Sequence, residues 1–305
     1  MRRRSAWPRL AAAVASATLA AGSLLPAVAY AGAQPPPASG TIWMISGRSL
    51  ERLAAFPGTE PLVQEFFASG SDSILVDGDG RSPILALPAQ RAVSYASYQT
   101  LRRRLTPSGT ASLVVLDLEH WPQTPAVEQR DPALYYRLAG ELLHQDGLAL
   151  VAAPSPNIVS ARVAANWPSY TAFLASGLIG RIAKSADVFE VQAQGFERST
   201  ALYTDFVAAA ADQARRANPH VTVIAGLSTN PDGRPVPAAQ LYHDVRAARG
   251  HVDGFWLNIP ARSPACPRCG TPHAGVAAKL LRRLSRQTPV VPSAPPPGLP
   301  TADPG

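Results

Sequence analysis

Asp117 and Glu119 are the residues of this chain whose type and spacing best suit chemistry. They close the apolar run Leu113-Val114-Val115-Leu116-Asp117-Leu118-Glu119, and a polar segment follows at once. Side chains alternate along a strand, so these two carboxyls share a face, with alpha carbons roughly 6.6 Å apart at about 3.3 Å rise per residue. Two acids at the end of a buried strand are costly to bury unpaired. A pair of this kind suits general acid–base work. His120 comes next. It is an acid–base candidate or a loop hydrogen bonder, and alternation turns it away from the two acids.

Other candidate groups end later apolar runs. In 187–194, Phe189, Val191 and Ala193 take one face, and Glu190, Gln192 and Gln194 take the other. Three inward polar residues need partners. Glu190, the deepest, reads as part of a structural network, whereas Gln192 and Gln194 reach toward substrate. Run 221–228 ends in Ser228, Thr229 and Asn230. In 253–260, Trp256 and Asn258 share a face, offering a flat apolar surface for a sugar ring and an amide for its hydroxyls. Plain core packing is the alternative for Trp256.

The elements that must position these groups alternate strand and helix. Strands are expected at 41–46, 73–76, 84–87, 111–119, 148–155, 187–194, 221–228 and 253–260. Helices are expected at 48–70 (in two pieces), 89–105, 131–145 capped by Asp131-Pro132, 170–185, 203–217, 236–249 and 274–286. A long polar loop is expected over 120–130. One strand every 30 to 40 residues with helical crossovers is the pattern of a parallel sheet, and eight strands in about 250 residues predict a (β/α)8 TIM-barrel-like single domain over 41–287. An open doubly wound sheet is the alternative; the chain lacks the Gly-rich loop of its nucleotide-binding versions.

Residues 1–33 carry the marks of a secretory signal: Arg2 to Arg4, an Ala/Leu-rich run over 10–25, and small residues at Ala27-Val28-Ala29 and Ala31-Gly32-Ala33. Cleavage is expected between Ala29 and Gln34, giving a secreted protein with no membrane span in the mature chain; an uncleaved anchor is the alternative. Residues 34–40 form a Pro-rich spacer, and 288–305 a disordered Pro-rich tail. The formal charge of +7 includes four leader arginines, so the mature chain keeps 24 basic against 21 acidic residues. A net charge near +3 without a Lys/Arg block gives nucleic-acid binding no support. A monomer is expected.

Cys266 and Cys269 are the only cysteines, and in an exported chain a disulfide is the default. A redox pair and, with His273, a zinc site are the alternatives, the latter short of a fourth ligand. Asp77-Gly78-Asp79-Gly80 reads as a turn that lacks the spacing and terminal Glu of a calcium loop. No metal or cofactor is expected. A Ser-His-Asp hydrolase would need a Gly-x-Ser-x-Gly elbow, which the chain lacks.

Four of these runs resemble the barrel of family-18 glycoside hydrolases, the chitinase and hevamine-like group. Val115-Leu116-Asp117-Leu118-Glu119 is similar to its Asp-x-Asp-x-Glu strand, and Leu150-Val151-Ala152-Ala153-Pro154 to its Leu-Thr-Ala-Ala-Pro. Phe189-Glu190-Val191-Gln192 resembles the strand Val-x-Val-Gln-Phe-Tyr, and Val223-Ile224-Ala225-Gly226-Leu227 the Gly-Leu-Pro strand. The resemblance implies a barrel in which Glu119 protonates the leaving oxygen and Asp117 orients a substrate acetamide. Three positions depart from it. Val115 replaces the first Asp, Gln194 the acetamide-holding Tyr, and Asn258 the Trp under the sugar. A polysaccharide or cell-wall glycan is the expected partner, with a non-catalytic glycan-binding barrel, or a structural barrel with a polar interior, as the alternatives.

Overall fold

Side-chain alternation along eight short apolar runs builds the sheet. The computed structural model describes residues 40–78, 87–105, 111–161, 169–263 and 266–286. Its strands are β1 (Ile42–Ser46), β2 (Gly70–Gly78), β3 (Ala89–Tyr95), β4 (Leu113–Leu116), β5 (Ala149–Ala152), β6 (Val188–Val191), β7 (Thr222–Ser228) and β8 (Gly254–Asn258). They pair in chain order as a closed parallel barrel. Closure falls on β1, which matches Met44 to Ile74 of β2 and to Trp256 of β8.

Outward residues such as Trp43, Ile45, Phe189, Val191 and Phe255 join a large cluster beneath the helices. Inward residues, including Met44, Ile74, Val115, Val151, Ile224 and Trp256, fill a smaller cluster inside the barrel. Two apolar faces explain why the strands read as near-continuous apolar runs. Parallel neighbours need crossovers. In the connections other than that from β2 to β3, the described helices are α1 (Gly47–Ala54), α2 (Glu60–Phe67), α3 (Tyr98–Arg104), α4 (Ala126–Arg130), α5 (Pro132–Gln145), α6 (Ser169–Ala175), α7 (Leu178–Ala183), α8 (Thr200–Ala217) and α9 (Ala238–Ala248), with α10 (Ala274–Ser285) following β8. None of the helices among the described residues is long and apolar enough to cross a membrane.

The structure departs from expectation at 89–105, 120–130, 170–185 and the Asp131 cap. Residues 89–105 do not form one helix: β3 takes the first part, and α3 begins after Ser97, whose Oγ accepts from Thr100 N at 3.1 Å. The Gln, Arg and Ala content of β3 favours helix locally. Its ladders to β2 (Val93 to Asp77) and β4 (Ala92 to Leu113) outweigh that preference, since a barrel cannot close with a strand missing. The strand expected at 84–87 lies outside the described residues except for Leu87, which is not in a strand. The 120–130 loop contains α4, whose buried Glu128 accepts from Tyr98 N (2.7 Å) and Gln99 N (2.9 Å) at the start of α3. The 170–185 helix breaks into α6 and α7 at Gly177, which has φ +66°. Asp131 does precede α5, with Pro132 in the first turn, but its side chain accepts no first-turn amide. The leader (1–33), residues 34–39 of the spacer, the tail (288–305) and Asp79-Gly80 lie outside the described residues.

Two buried tyrosines tie helices to strand backbones. Tyr136 of α5 donates its hydroxyl to Leu116 O (3.1 Å) and accepts from Leu118 N (3.3 Å). Tyr203 of α8 donates to Gly226 O (3.1 Å). Tyr136→Phe strands the buried Leu118 amide, while Leu116 O keeps the bond from Ala153 N, so a loss of about 1–3 kcal/mol is expected. Urea unfolding checks it; an unchanged midpoint would show that the hydroxyl holds nothing.

Candidate functional site

The polar groups collect where the strands end. β4 stops at Leu116, but its neighbours grip the following residues. Asp117 N donates to Tyr95 O (2.9 Å), Ala153 N to Leu116 O (3.0 Å) and Ser155 N to Leu118 O (3.1 Å). Leu118 packs outward under the helices, which leaves Asp117 and Glu119 on the inner side. Beyond them Thr124 gathers the turn: its Oγ1 accepts from Glu119 N (3.2 Å) and Trp121 Nε1 (2.8 Å) and donates to Ala96 O (2.8 Å).

Glu119 opens into a cleft of about 490 Å³. Its walls include Ser155, Asn157, Tyr170, Gln194, Gly195, Ser228, Asp232, Asn258 and Cys269. Asn157 Nδ2 donates to Glu119 Oε2 (3.3 Å), while Asn157 Oδ1 accepts from His120 N (2.8 Å). Asp117 is not among the cleft walls. Gln192 Nε2 donates to its Oδ1 (3.1 Å) and to Ala153 O (3.1 Å). Glu190, on β6, is buried and bonded to Gln194. Gly226 on β7 makes room for both of these side chains. A Cβ there would collide with the Gln194 amide and stand 2.8 Å from Glu190 Oε1.

Burial governs the protonation of these acids. It raises Asp117 well above the usual carboxylate range, and the charges of Glu119 and Glu190 add to the effect against the Gln192 hydrogen bond. It raises Glu119 too; the Asn157 hydrogen bond opposes the rise and the charge of Asp232 reinforces it. It pushes Glu190 up to about 8, assisted by Glu119 and opposed by Gln194. No basic group stands among these causes, so in each of the three the balance favours the protonated form more than in a free carboxyl.

The residues singled out from sequence separate into three groups. Glu119, Gln194, Ser228 and Asn258 line the cleft. Asp117, Gln192 and Trp256 lie off its walls, with Trp256 packed in the inner cluster beside Met44, its register partner. His120 and Asn230 do not face the cleft. His120 is exposed, its Nδ1 2.6 Å from Gln129 Oε1. Asn230 is buried, and its amide donates to Cys269 O (2.6 Å), Pro260 O (3.3 Å) and Thr271 O (3.4 Å), so it binds protein backbone. Cys266 and Cys269 form a disulfide.

Sequence reasoning missed Asn157, Tyr170 and Asp232. Asn157 follows β5 as Glu119 follows β4, so a search for polar residues just past each strand would have found it. Pro231-Asp232-Gly233 carries a plain turn signal. Tyr170 gives no local signal. Its hydroxyl accepts from Gly195 N at 3.0 Å, a contact between distant segments.

No family model and no curated protein matches the chain. Among solved structures the chain is similar to a GH18 chitinase from Pseudoalteromonas aurantia. The TM-score is 0.45 and the identity 10%, over 81% of this chain and 99% of that one. It is also similar to a GH128 (subgroup V) exo-beta-1,3-glucanase from Cryptococcus neoformans. There the TM-score is 0.42 and the identity 14%, over 77% of this chain and 91% of that one.

Two outcomes test the site. Gly226→Ala is expected to displace Gln194 and Glu190 and to lower stability by about 1–3 kcal/mol, the range for overpacking; an unchanged unfolding midpoint would mean that the space is not filled. Glu190 gives a pH test. Its raised pKa means that the folded state keeps a proton the unfolded chain has lost, from the ordinary 4.5 up to about 8. Stability therefore falls as pH rises through that window, by up to about 1.4 kcal/mol for each pH unit crossed. Glu190→Gln removes this contribution, so urea midpoints measured across the window should decline less steeply than in wild type. Equal slopes would show that Glu190 does not titrate in this way.

Proposed function

We propose that the protein is an exported barrel that hydrolyses a polysaccharide or cell-wall glycan, with Glu119 as the proton donor. The observation that carries this reading is the place of Glu119. Of the three inward acids it alone lines the cleft, and burial raises its pKa. Burial that raises a carboxyl's pKa favours its protonated form, which can give the proton to a glycosidic oxygen as the bond to the sugar carbon breaks. Asp117, tethered by Gln192 and set behind Glu119, acts as the orienting acid. Amides and hydroxyls from Asn157, Gln194, Ser228 and Asn258 suit a substrate rich in hydroxyl groups. The resemblance of the acidic strand to family 18 supports the same roles. Export agrees with the Cys266–Cys269 disulfide, which an oxidising compartment preserves.

A second reading is a glycan-binding barrel without turnover. Gln194, at the position of the family's acetamide-holding tyrosine, is bonded to Glu190 inside the barrel, so it is not free to take that role unchanged.

A panel of cell-wall and plant polysaccharides, assayed for new reducing ends, separates the two. Product release is expected, and Glu119→Gln should lower its rate by about 10²–10⁴-fold without loss of folding. Full turnover by that variant would remove Glu119 from the mechanism. Glycan retention by the wild type without any product would favour the binding reading.

A further inference from the structure

We propose that Asp232 and the Cys266–Cys269 loop form one device: the loop clamps the turn that presents the Asp232 carboxylate to the cleft, and this sets the charge that Glu119 meets there. The proposal builds on the reading of Glu119 as proton donor, but its test needs no substrate.

Asp232 follows β7 and Glu119 follows β4, three strands apart around a ring of eight, and both line the same cleft. Asp232 is the only non-glycine residue with positive φ among the described residues, at +51°. Asp tolerates this left-handed region better than most residues, as tight turns require. The disulfide loop braces the turn on two sides. Before the turn, the buried amide of Asn230 donates to Cys269 O at 2.6 Å. After it, Gly233, with φ +75°, is packed so closely on Arg268 O that a Cβ would collide with it. Asn230 is in turn set by its neighbours: Thr229 Oγ1 donates to Asn230 Oδ1 (2.7 Å) and Asn230 N donates to Ser228 Oγ (3.3 Å). Cys269 itself lines the cleft.

The loop therefore has a role that its position after the last strand does not suggest. It is a brace for the cleft's rim, and Asp232 is a positioning residue that acts through Glu119. The acids near Glu119 are Asp117 and Glu190 within the barrel and Asp232 at the rim. Its chain neighbour His120 is engaged with Gln129. The negative charge of Asp232 favours the protonated form of Glu119, the form a proton donor needs. Opening the disulfide would free the turn and weaken that influence, which makes the cleft sensitive to reduction.

The experiment is carbon-detected NMR titration of the Glu119 side-chain carboxyl in the folded protein at low salt, identified by its loss in Glu119→Gln. Asp232→Asn should lower the Glu119 midpoint by roughly half a pH unit, the scale of a partly screened neighbouring charge. Asp232→Glu should largely retain the wild-type value. Asn230→Ala, which keeps the disulfide but cuts its tie to the turn, and Cys266→Ser/Cys269→Ser should both lower the midpoint in the same direction. Should the cysteine variant fail to fold, Asn230→Ala and wild type reduced by a phosphine supply that arm. An unmoved midpoint in Asp232→Asn overturns the role of Asp232. A fall there with none in the loop arm overturns the clamp. Absence of turnover on every glycan would defeat the proposed hydrolase while leaving this titration to be decided on its own.

Discussion

Three carboxyls gathered at one end of a parallel barrel, each held up by burial and none offset by a basic neighbour among the described residues, set the terms for the rest of this structure. In Asp117, Glu119 and Glu190 desolvation is the leading cause, and their charges act on one another. Burial and mutual repulsion favour protonation in such a cluster, and each member needs a hydrogen-bond donor. The barrel supplies one carboxamide to each: Gln192 to Asp117, Asn157 to Glu119 and Gln194 to Glu190. Carboxamides meet the hydrogen-bonding need without bringing a positive charge that would strip the protons off. A lysine or arginine there would give a more ordinary ion pair and a poorer proton donor.

The apolar architecture serves the same end. Tyr136 reaches through the helix-facing layer to hold the backbone on both sides of Asp117, and Tyr203 does the same for β7 at Gly226. Gly226 then leaves the inner volume that Glu190 and Gln194 fill. Deeper in the barrel the inner face reverts to Met44, Val115, Val151 and Ile224. The polar chemistry is confined to one end because only there can the strand ends and loops supply partners without opening the core.

Much of the barrel was legible locally. Period-two alternation separates Phe189 and Val191 from Glu190 on β6, and the structure keeps that separation. It also places Asp117 and Glu119 on one face and Trp256 inside. β3 was not legible: its own residues favour a helix, and only the ladders to β2 and β4 make it a strand. The site was half legible. Glu119, Gln194, Ser228 and Asn258 announce themselves as polar groups at strand ends, whereas Tyr170 reaches the cleft only through the packing of α6 against the turn after β6. Asn230 has the composition of a substrate contact but spends its amide on backbone carbonyls 30 to 41 residues away.

The sequence by itself determined seven of the eight strands, the face on which the acids lie and the pairing of its only two cysteines, because these rest on periodicity and on residue type. Tertiary structure decided which polar groups meet. It linked Gln192 to Asp117 across 75 residues and Asn157 to Glu119 across 38, and it turned Cys269 into the anchor of Asn230. Hydrogen bonds of that kind depend on where closed-barrel geometry brings separate strand ends, and no short-range pattern encodes that distance.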